Sequence, residues 1–508
     1  MKHEPEAGNR ARRGIRSLIV GLLVAAAVLP PLPASAQLPT LGDGSEMTVS
    51  AERRMGARIA RELYRDPDYL DDPVIAEYIQ GIWQPLLAAA RTRGELTPEM
   101  DLGFAWEILL GRDPTVNAFA LPGGYLGVHL GLVGLVSNRD ELASVLAHEL
   151  SHVTQRHISR LTSQQSKIAP WMLGAMILGA LVLGRNADAG NAMIAGSQAL
   201  AIQSQLNFSR DMEREADRIG YGVMTQAGFD PRGFVTMFDK LQQAARLNDT
   251  GSFPYLRTHP MTTERIADMQ SRQELAARPV AAPPTMEHAM VAARARALSV
   301  TAVDALRSRV AEASAPGLAA QIPSRQAAVL YAAVLAQDKQ RDFAAARVLL
   351  ARLASVTSAD PASARLARLL SAEVALDGGE PQRVAALVDP AASSRPEVLL
   401  TAQARLLTGQ AAAVAQQLQT WVAKDPRDAT AWQLLSQAYA AQGLALRSIR
   451  ASAEAQVALL DYAAAVDRFK AAQDLVRKGG DVDHIEASII DTRVREVELL
   501  LREQALER

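Results

Sequence analysis

The chain has 508 residues, 54 Lys and Arg against 55 Asp and Glu, a formal net charge of -1 and no Cys. Its length exceeds a single ordinary core, so two domains are expected. A near-neutral balance with no basic stripe excludes a nucleic-acid footprint, and the lack of Cys excludes a thiol nucleophile, a Cys-ligated metal site and any disulfide.

From the N-terminus, Arg10, Arg12, Arg13 and Arg16 precede an apolar run from Leu18 to Leu29, and Ala34-Ser35-Ala36 stands before Gln37. This pattern predicts a secretory signal cleaved after Ala36, since the apolar run is short for a spanning helix. Export to the periplasm follows, and an absence of Cys is compatible with it. Met55 to Tyr64 and Pro73 to Arg91 read as helices, and Leu102 to Leu110 as a strand with mixed patterning. Leu121-Pro122-Gly123-Gly124 is a turn before a second strand, Tyr125 to Leu130, to which His129 belongs.

Asn138-Arg139-Asp140-Glu141 has the form of a capping box, and Leu142, Val145, Leu146, Leu150 and Val153 recur at helical spacing. On that helix His148 and His152 lie one turn apart on one face, close enough to share a metal ion, with Glu149 placed as general base. Imidazole ligands suit zinc, and such a site needs a third protein ligand from a later element. Glu213 and Asp217 supply an i, i+4 pair on a predicted helix: Glu213 to bind the metal, Asp217 to accept the ring N–H of a ligating His. His157, five residues after His152, falls on a different face of a continuous helix and reads as a surface or packing residue.

H-E-x-x-H followed by E-x-x-x-D resembles the gluzincin peptidases of family M48. The string Glu141 to His157, Asn117 to Ala120 with Gly123-Gly124, Glu213 to Gly220, and Thr258-His259-Pro260 carry the resemblance. It implies a zinc endopeptidase with one Zn2+ per chain, held by His148, His152 and Glu213, with Glu149 and Asp217 in the catalytic machinery. It also implies that the strand after Gly124 forms the sheet edge above the metal, where a substrate peptide can add. His259, on a loop before a helix starting near Thr262, would face the zinc, either stabilising the oxyanion or closing the site as a fourth ligand.

Pro170 to Leu183 is almost wholly apolar, and Ala192 to Ile202 continues in Ala, Gly and Met. At 14 residues the first run is below the roughly 20 needed to cross hydrocarbon. A mobile lid over the active site and a core helix are the readings ahead of a spanning helix, and peripheral membrane contact through 170–202 goes with the lid.

Arg278 to Thr285 is Pro-rich and marks a boundary. Beyond it, Phe343-x-x-Ala346-x-x-x-Leu350 echoes Tyr462-x-x-Ala465-x-x-x-Phe469-x-x-Ala472, and Trp432-x-x-Leu435-Ser436-x-x-Tyr439 follows Pro426. These are tetratricopeptide-repeat patterns, irregularly phased, with the helix around Leu446 to Leu459 shared between units. The expected fold is mainly α: a signal peptide over 1–36, an α+β gluzincin domain with a small sheet over 37–277, a linker over 278–285, and a tetratricopeptide-repeat solenoid over 286–508.

The resemblance further implies quality control of outer-membrane beta-barrel proteins, with unfolded or misassembled barrels as substrates and the repeats docking on the barrel assembly machinery. A rival reading of the same chain is a chaperone or scaffold with a largely latent protease site.

Overall fold

The computed structural model describes residues 47–164, 209–246, 252–272, 285–389, 391–478 and 483–506. The expected signal peptide, the apolar stretch 170–202 and the Pro-rich stretch except Thr285 lie outside these residues. The described chain is mainly helical, with one small mixed sheet near its start and an all-helical C-terminal region.

Each early helix begins where a side chain takes up an orphan backbone N–H. Thr48 caps α1 (Val49–Tyr64), and Asp72 caps α2 (Pro73–Thr92), which has proline in its first turn. Thr97 and Pro98 start a third short helix, α3 (Pro98–Gly103), whose last two residues, Leu102 and Gly103, fall in the stretch expected to be strand. The strand β1 therefore covers only Glu107–Gly111, and Leu102 is 90% exposed on α3.

Two further strands follow, β2 (Ala118–Leu121) and β3 (Tyr125–His129). Gly123 and Gly124 join them at φ 73° and 81°, the left-handed region that the turn demands. A Cβ on Gly123 would also lie 2.5 Å from the Arg53 Cα. β3 pairs antiparallel with β2 and parallel with β1, so the strand order is β1-β3-β2. The expectation that Tyr125 to Leu130 forms the sheet edge is corrected: this strand is central, because the turn folds β2 back along one side while β1 takes the other. The edge near the candidate site is β2.

After α4 (Leu130–Leu135) comes α5 (Arg139–Thr154). Asn138 Oδ1 accepts from Glu141 N at 2.9 Å, as a capping residue should. Glu141 does not reach back to Asn138 N–H but accepts from Ser137 N at 2.6 Å and from Lys240 Nζ at 2.5 Å. Every residue of α5 from Glu141 to Thr154 is buried. Its apolar stripe faces the core, and its polar stripe faces other buried polar groups. Five more helices follow among the described residues of this half: α6 (His157–Gln164), α7 (Arg210–Gln226), α8 (Arg232–Arg246), α9 (Tyr255–Thr258) and α10 (Thr263–Ser271).

The C-terminal helices are α11 (Met286–Ser299), α12 (Val303–Ala313), α13 (Pro323–Lys339), α14 (Phe343–Thr357), α15 (Pro361–Asp377), α16 (Val384–Leu387), α17 (Arg395–Leu407), α18 (Ala411–Lys424), α19 (Ala429–Ala441), α20 (Ala445–Ala458), α21 (Tyr462–Arg477) and α22 (His484–Leu506). From α12 onward each helix packs on the next, α20 on both α19 and α21. The motif residues Ala346, Leu350, Leu435, Tyr439, Ala465, Phe469 and Ala472 are all buried between them.

α11 packs against α4 and α2 as well as α13, and one apolar core runs from Val49 to Ala404 across the two halves. Ion pairs lie along the same seam. Arg294, on α11, meets Asp72 at 2.9 and 3.0 Å, Glu373 at 2.9 and 3.0 Å, and the Tyr331 hydroxyl at 3.1 Å. Arg395 bridges Asp71 and Asp428, and Arg365 bridges Glu77 and Glu397.

Arg294 and Asp72 have side chains only 6% exposed each, so removing the guanidinium strands a buried carboxylate. Arg294→Ala is expected to lower unfolding stability in urea by about 3–5 kcal/mol. Arg65→Ala, which breaks the half-exposed pair with Asp461, should cost less than about 1 kcal/mol. Equal costs in the two variants would mean that the Arg294 cluster does not hold the seam.

Candidate metal centre

Helix α5 presents His148 and His152 on one face, as their four-residue spacing requires. Helix α7 begins at Ser209, whose hydroxyl caps Met212 N, and brings Glu213 in its first turn and Asp217 one turn later. The two helices approach closely because Gly220 has no side chain: a Cβ there would lie 3.1 Å from Ala147 and His148 backbone atoms. His259 follows the single turn of α9 as its C-cap residue. Its ring stacks on Tyr255, with centroids 4.5 Å apart and planes at 26°. The α9 segment is tied to the chain before β2 by Val116 N to Ser252 O at 2.8 Å and Tyr255 N to Val116 O at 3.3 Å.

One nitrogen or oxygen from each of His148, His152, Glu213 and His259 lies within 4.8 Å of the others, and all four residues are buried. His148 Nε2 is 2.9 Å from His152 Nε2 and 3.2 Å from His259 Nδ1. Glu213 Oε1 is 3.0 Å from His259 Nδ1 and 3.4 Å from His152 Nε2. A tetrahedral zinc with bonds of about 2.0–2.1 Å separates its ligand atoms by about 3.3 Å. The donor set has that spacing.

Charge gives a second test of fit. Glu149, Glu213 and Asp217 are buried carboxylates, and Arg265 is the guanidinium buried among them. With neutral imidazoles this group carries an excess of two negative charges, which a divalent cation neutralises. His148 Nδ1 lies 2.9 Å from Asp217 Oδ1 without hydrogen-bond geometry, so a proton drawn to Nδ1 by that carboxylate would leave the Nε2 lone pair toward His152. Lone pairs facing one another across 2.9 Å are satisfied by a cation between them. The residues therefore fit a metal of the zinc type.

The electrostatics agree. Burial works to lower the His148 pKa, but Asp217 and Glu213 outweigh it and carry the ring up to about 9. Burial lowers His152 well below its ordinary value, aided by the neighbouring rings of His148 and His259, against Glu213. Burial pushes Glu213 up, yet His259 and Arg265 hold it well below the usual carboxylate range. Asp217 is lowered in the same way, burial opposed chiefly by Arg265. Burial raises Glu149.

Glu149 Oε2 accepts from Ala120 N at 2.9 Å, which fixes this carboxylate against the edge strand β2. Its Oε1 makes no hydrogen bond and lies 3.4 Å from His259 Nε2. This oxygen thus lies on the side of Glu149 that faces His259 of the donor set.

All six residues singled out from the sequence, His148, Glu149, His152, Glu213, Asp217 and His259, are brought together here. His129 stands apart in β3, beside Thr115 and Asp113. Arg265 was missed. It holds Asp217 through two bonds, at 2.6 and 2.8 Å, meets Glu213 Oε2 at 2.8 Å, and donates to Pro260 O at 2.9 Å. Its only sequence signal is that paired buried acids need a fixed cation. The surface or packing reading of His157 is refined: it is buried, outside the donor set, with Nδ1 2.9 Å from His152 Nδ1. Burial draws its pKa down to about 4.

Comparison with known proteins gives the arrangement a family. Residues 84–273 match the model of peptidase family M48. The beta-barrel assembly-enhancing protease of Escherichia coli is 30% identical over 455 residues, 87% of this chain and 89% of that protein. A Vibrio cholerae relative given a similar description is 36% identical over 259 residues, 49% of this chain and about half its own length, at 51%. A mitochondrial metalloendopeptidase of Arabidopsis thaliana is 35% identical over 163 residues, 32% of this chain and 30% of that protein. The match to the first of these runs through both halves of the chain, and the family match contains all six site residues: the chain belongs to peptidase family M48.

Proposed function

We propose that the protein is a periplasmic zinc endopeptidase of outer-membrane beta-barrel quality control, with His148, His152 and Glu213 as the ligands of one Zn2+ per chain. The convergence of these three residues with His259 on one buried point carries the reading. A divalent cation held there by His148, His152 and Glu213 would supply Lewis acidity. Glu149 takes the proton of the attacking water on its unpartnered Oε1 and delivers it to the leaving amine. Asp217, anchored by Arg265, keeps the proton of His148 on Nδ1. The names of the Escherichia coli and Vibrio relatives support barrel proteins as the substrate class, and the N-terminal signal pattern supports the periplasm. No described helix is long and apolar enough to cross a membrane. The C-terminal helices, read as tetratricopeptide repeats, offer a surface for unfolded barrels and for the barrel assembly machinery.

The reading of a chaperone with a latent protease site draws support from one observation. His259 Nδ1 stands inside the donor set and Tyr255 stacks on its ring, an arrangement suited to a fourth ligand that shuts the centre. His259 accordingly acts as the gate, and latency is the closed state of the same enzyme.

A double variant, His148→Ala with His152→Ala, is expected to lose its zinc in elemental analysis, while Glu149→Gln keeps the metal and loses cleavage of an unfolded barrel protein. Stoichiometric zinc in the double variant would overturn the ligand assignment. His259→Ala should keep its zinc and raise cleavage and self-cleavage, because a coordination position opens. A fall of about 10²-fold in rate would instead assign His259 to the oxyanion, and an unchanged rate would remove it from both roles.

A further inference from the structure

Helix α5 stops at Thr154, and Arg156 enters the left-handed region at φ 53° before α6 starts with His157. On an uninterrupted helix, a residue five positions beyond His152 would lie about 140° round the axis from it. The break at Arg156 instead turns the chain back, so that His157 sits beneath the His152 ring, 4.8 Å from it between centroids. The strained residue is held: Arg156 donates to Glu52 Oε1 at 2.7 Å and also to Met47 O.

Two contacts then define a line of atoms leading away from the metal centre. His152 Nδ1 meets His157 Nδ1 at 2.9 Å, and His157 Nε2 meets Glu215 Oε2 at 3.1 Å. Arg160 donates to the same Glu215 oxygen at 2.8 Å. A carboxylate can only accept, so a neutral His157 carries its proton on Nε2 and presents a lone pair at Nδ1. That lone pair accepts from His152 Nδ1–H, which leaves the His152 lone pair on Nε2. This is the nitrogen that faces His148 Nε2 and Glu213.

We propose that His157, oriented by Glu215, is the positioning residue of His152, fixing its ring and the nitrogen it offers to a divalent metal. This inference rests on reading His152 as a ligand. It pairs with the role of Asp217 on His148, so that each ligating imidazole has its own acceptor. Helix α7 serves both, with Asp217 turned toward α5 and Glu215 toward α6.

The test is the zinc affinity of the metal-free full chain, measured by competition with a chromophoric chelator. His157→Phe, which keeps an aromatic ring without an acceptor, is expected to weaken zinc binding 10–100-fold. His157→Asn, whose amide oxygen can stand where Nδ1 stood, should recover most of the loss. Glu215→Ala, at a side chain 29% exposed, should weaken binding in the same direction without disturbing the core. The visible spectrum of the cobalt-substituted protein should shift in His157→Phe and return in His157→Asn. Parental affinity and spectrum in both His157→Phe and Glu215→Ala would overturn the proposal, as would a better recovery by Phe than by Asn, which marks simple packing. His152→Ala separates the two readings: if it alone loses zinc, only the positioning role fails, whereas if it retains zinc, the ligand assignment fails first.

Discussion

Three carboxylates held out of water around the Arg265 guanidinium form the constraint on which the rest of this structure depends. Isolated buried charges are costly, and acids without partners would protonate or disperse. Here Arg265 offsets one charge through its bonds to Asp217. The remaining excess is what a doubly charged metal meets. Helix packing at Gly220, the tether of the His259 segment to the strand region and the bond from Ala120 to Glu149 all serve to keep those groups converging.

Much of the centre was legible because its residues sit at fixed offsets on two helices. A four-residue spacing is a statement about one face, so His148 with His152, and Glu213 with Asp217, could be read in pairs. The cap at Asn138 was likewise local, although the partners of Glu141 were not. His259 came into view through family resemblance rather than spacing.

What escaped depended on where the chain turns. The position of His157 follows from a helix that ends at Thr154 and from Arg156, two residues on, in a conformation that no composition rule selects. The order of the strands follows from a return at Gly123 and Gly124 and a parallel partner far back in the chain, neither of which alternation in Tyr125 to His129 reveals. Arg265 looks in sequence like any helix arginine. Nor does the Pro-rich stretch announce that helices on both of its sides share a core, since that sharing is a matter of apolar faces meeting across long separations.

The complete burial of α5 has a kinetic consequence. Amide protons on exposed helices exchange with solvent through small local openings, whereas those on a helix enclosed on every side wait for cooperative unfolding. The segment from Glu141 to Thr154 is enclosed in that way. The stretch of backbone bearing His148, Glu149 and His152 thus belongs to the slowest-opening part of the molecule. Motion that admits a polypeptide has to come from elements around this helix, leaving the geometry of its side chains undisturbed through each turnover.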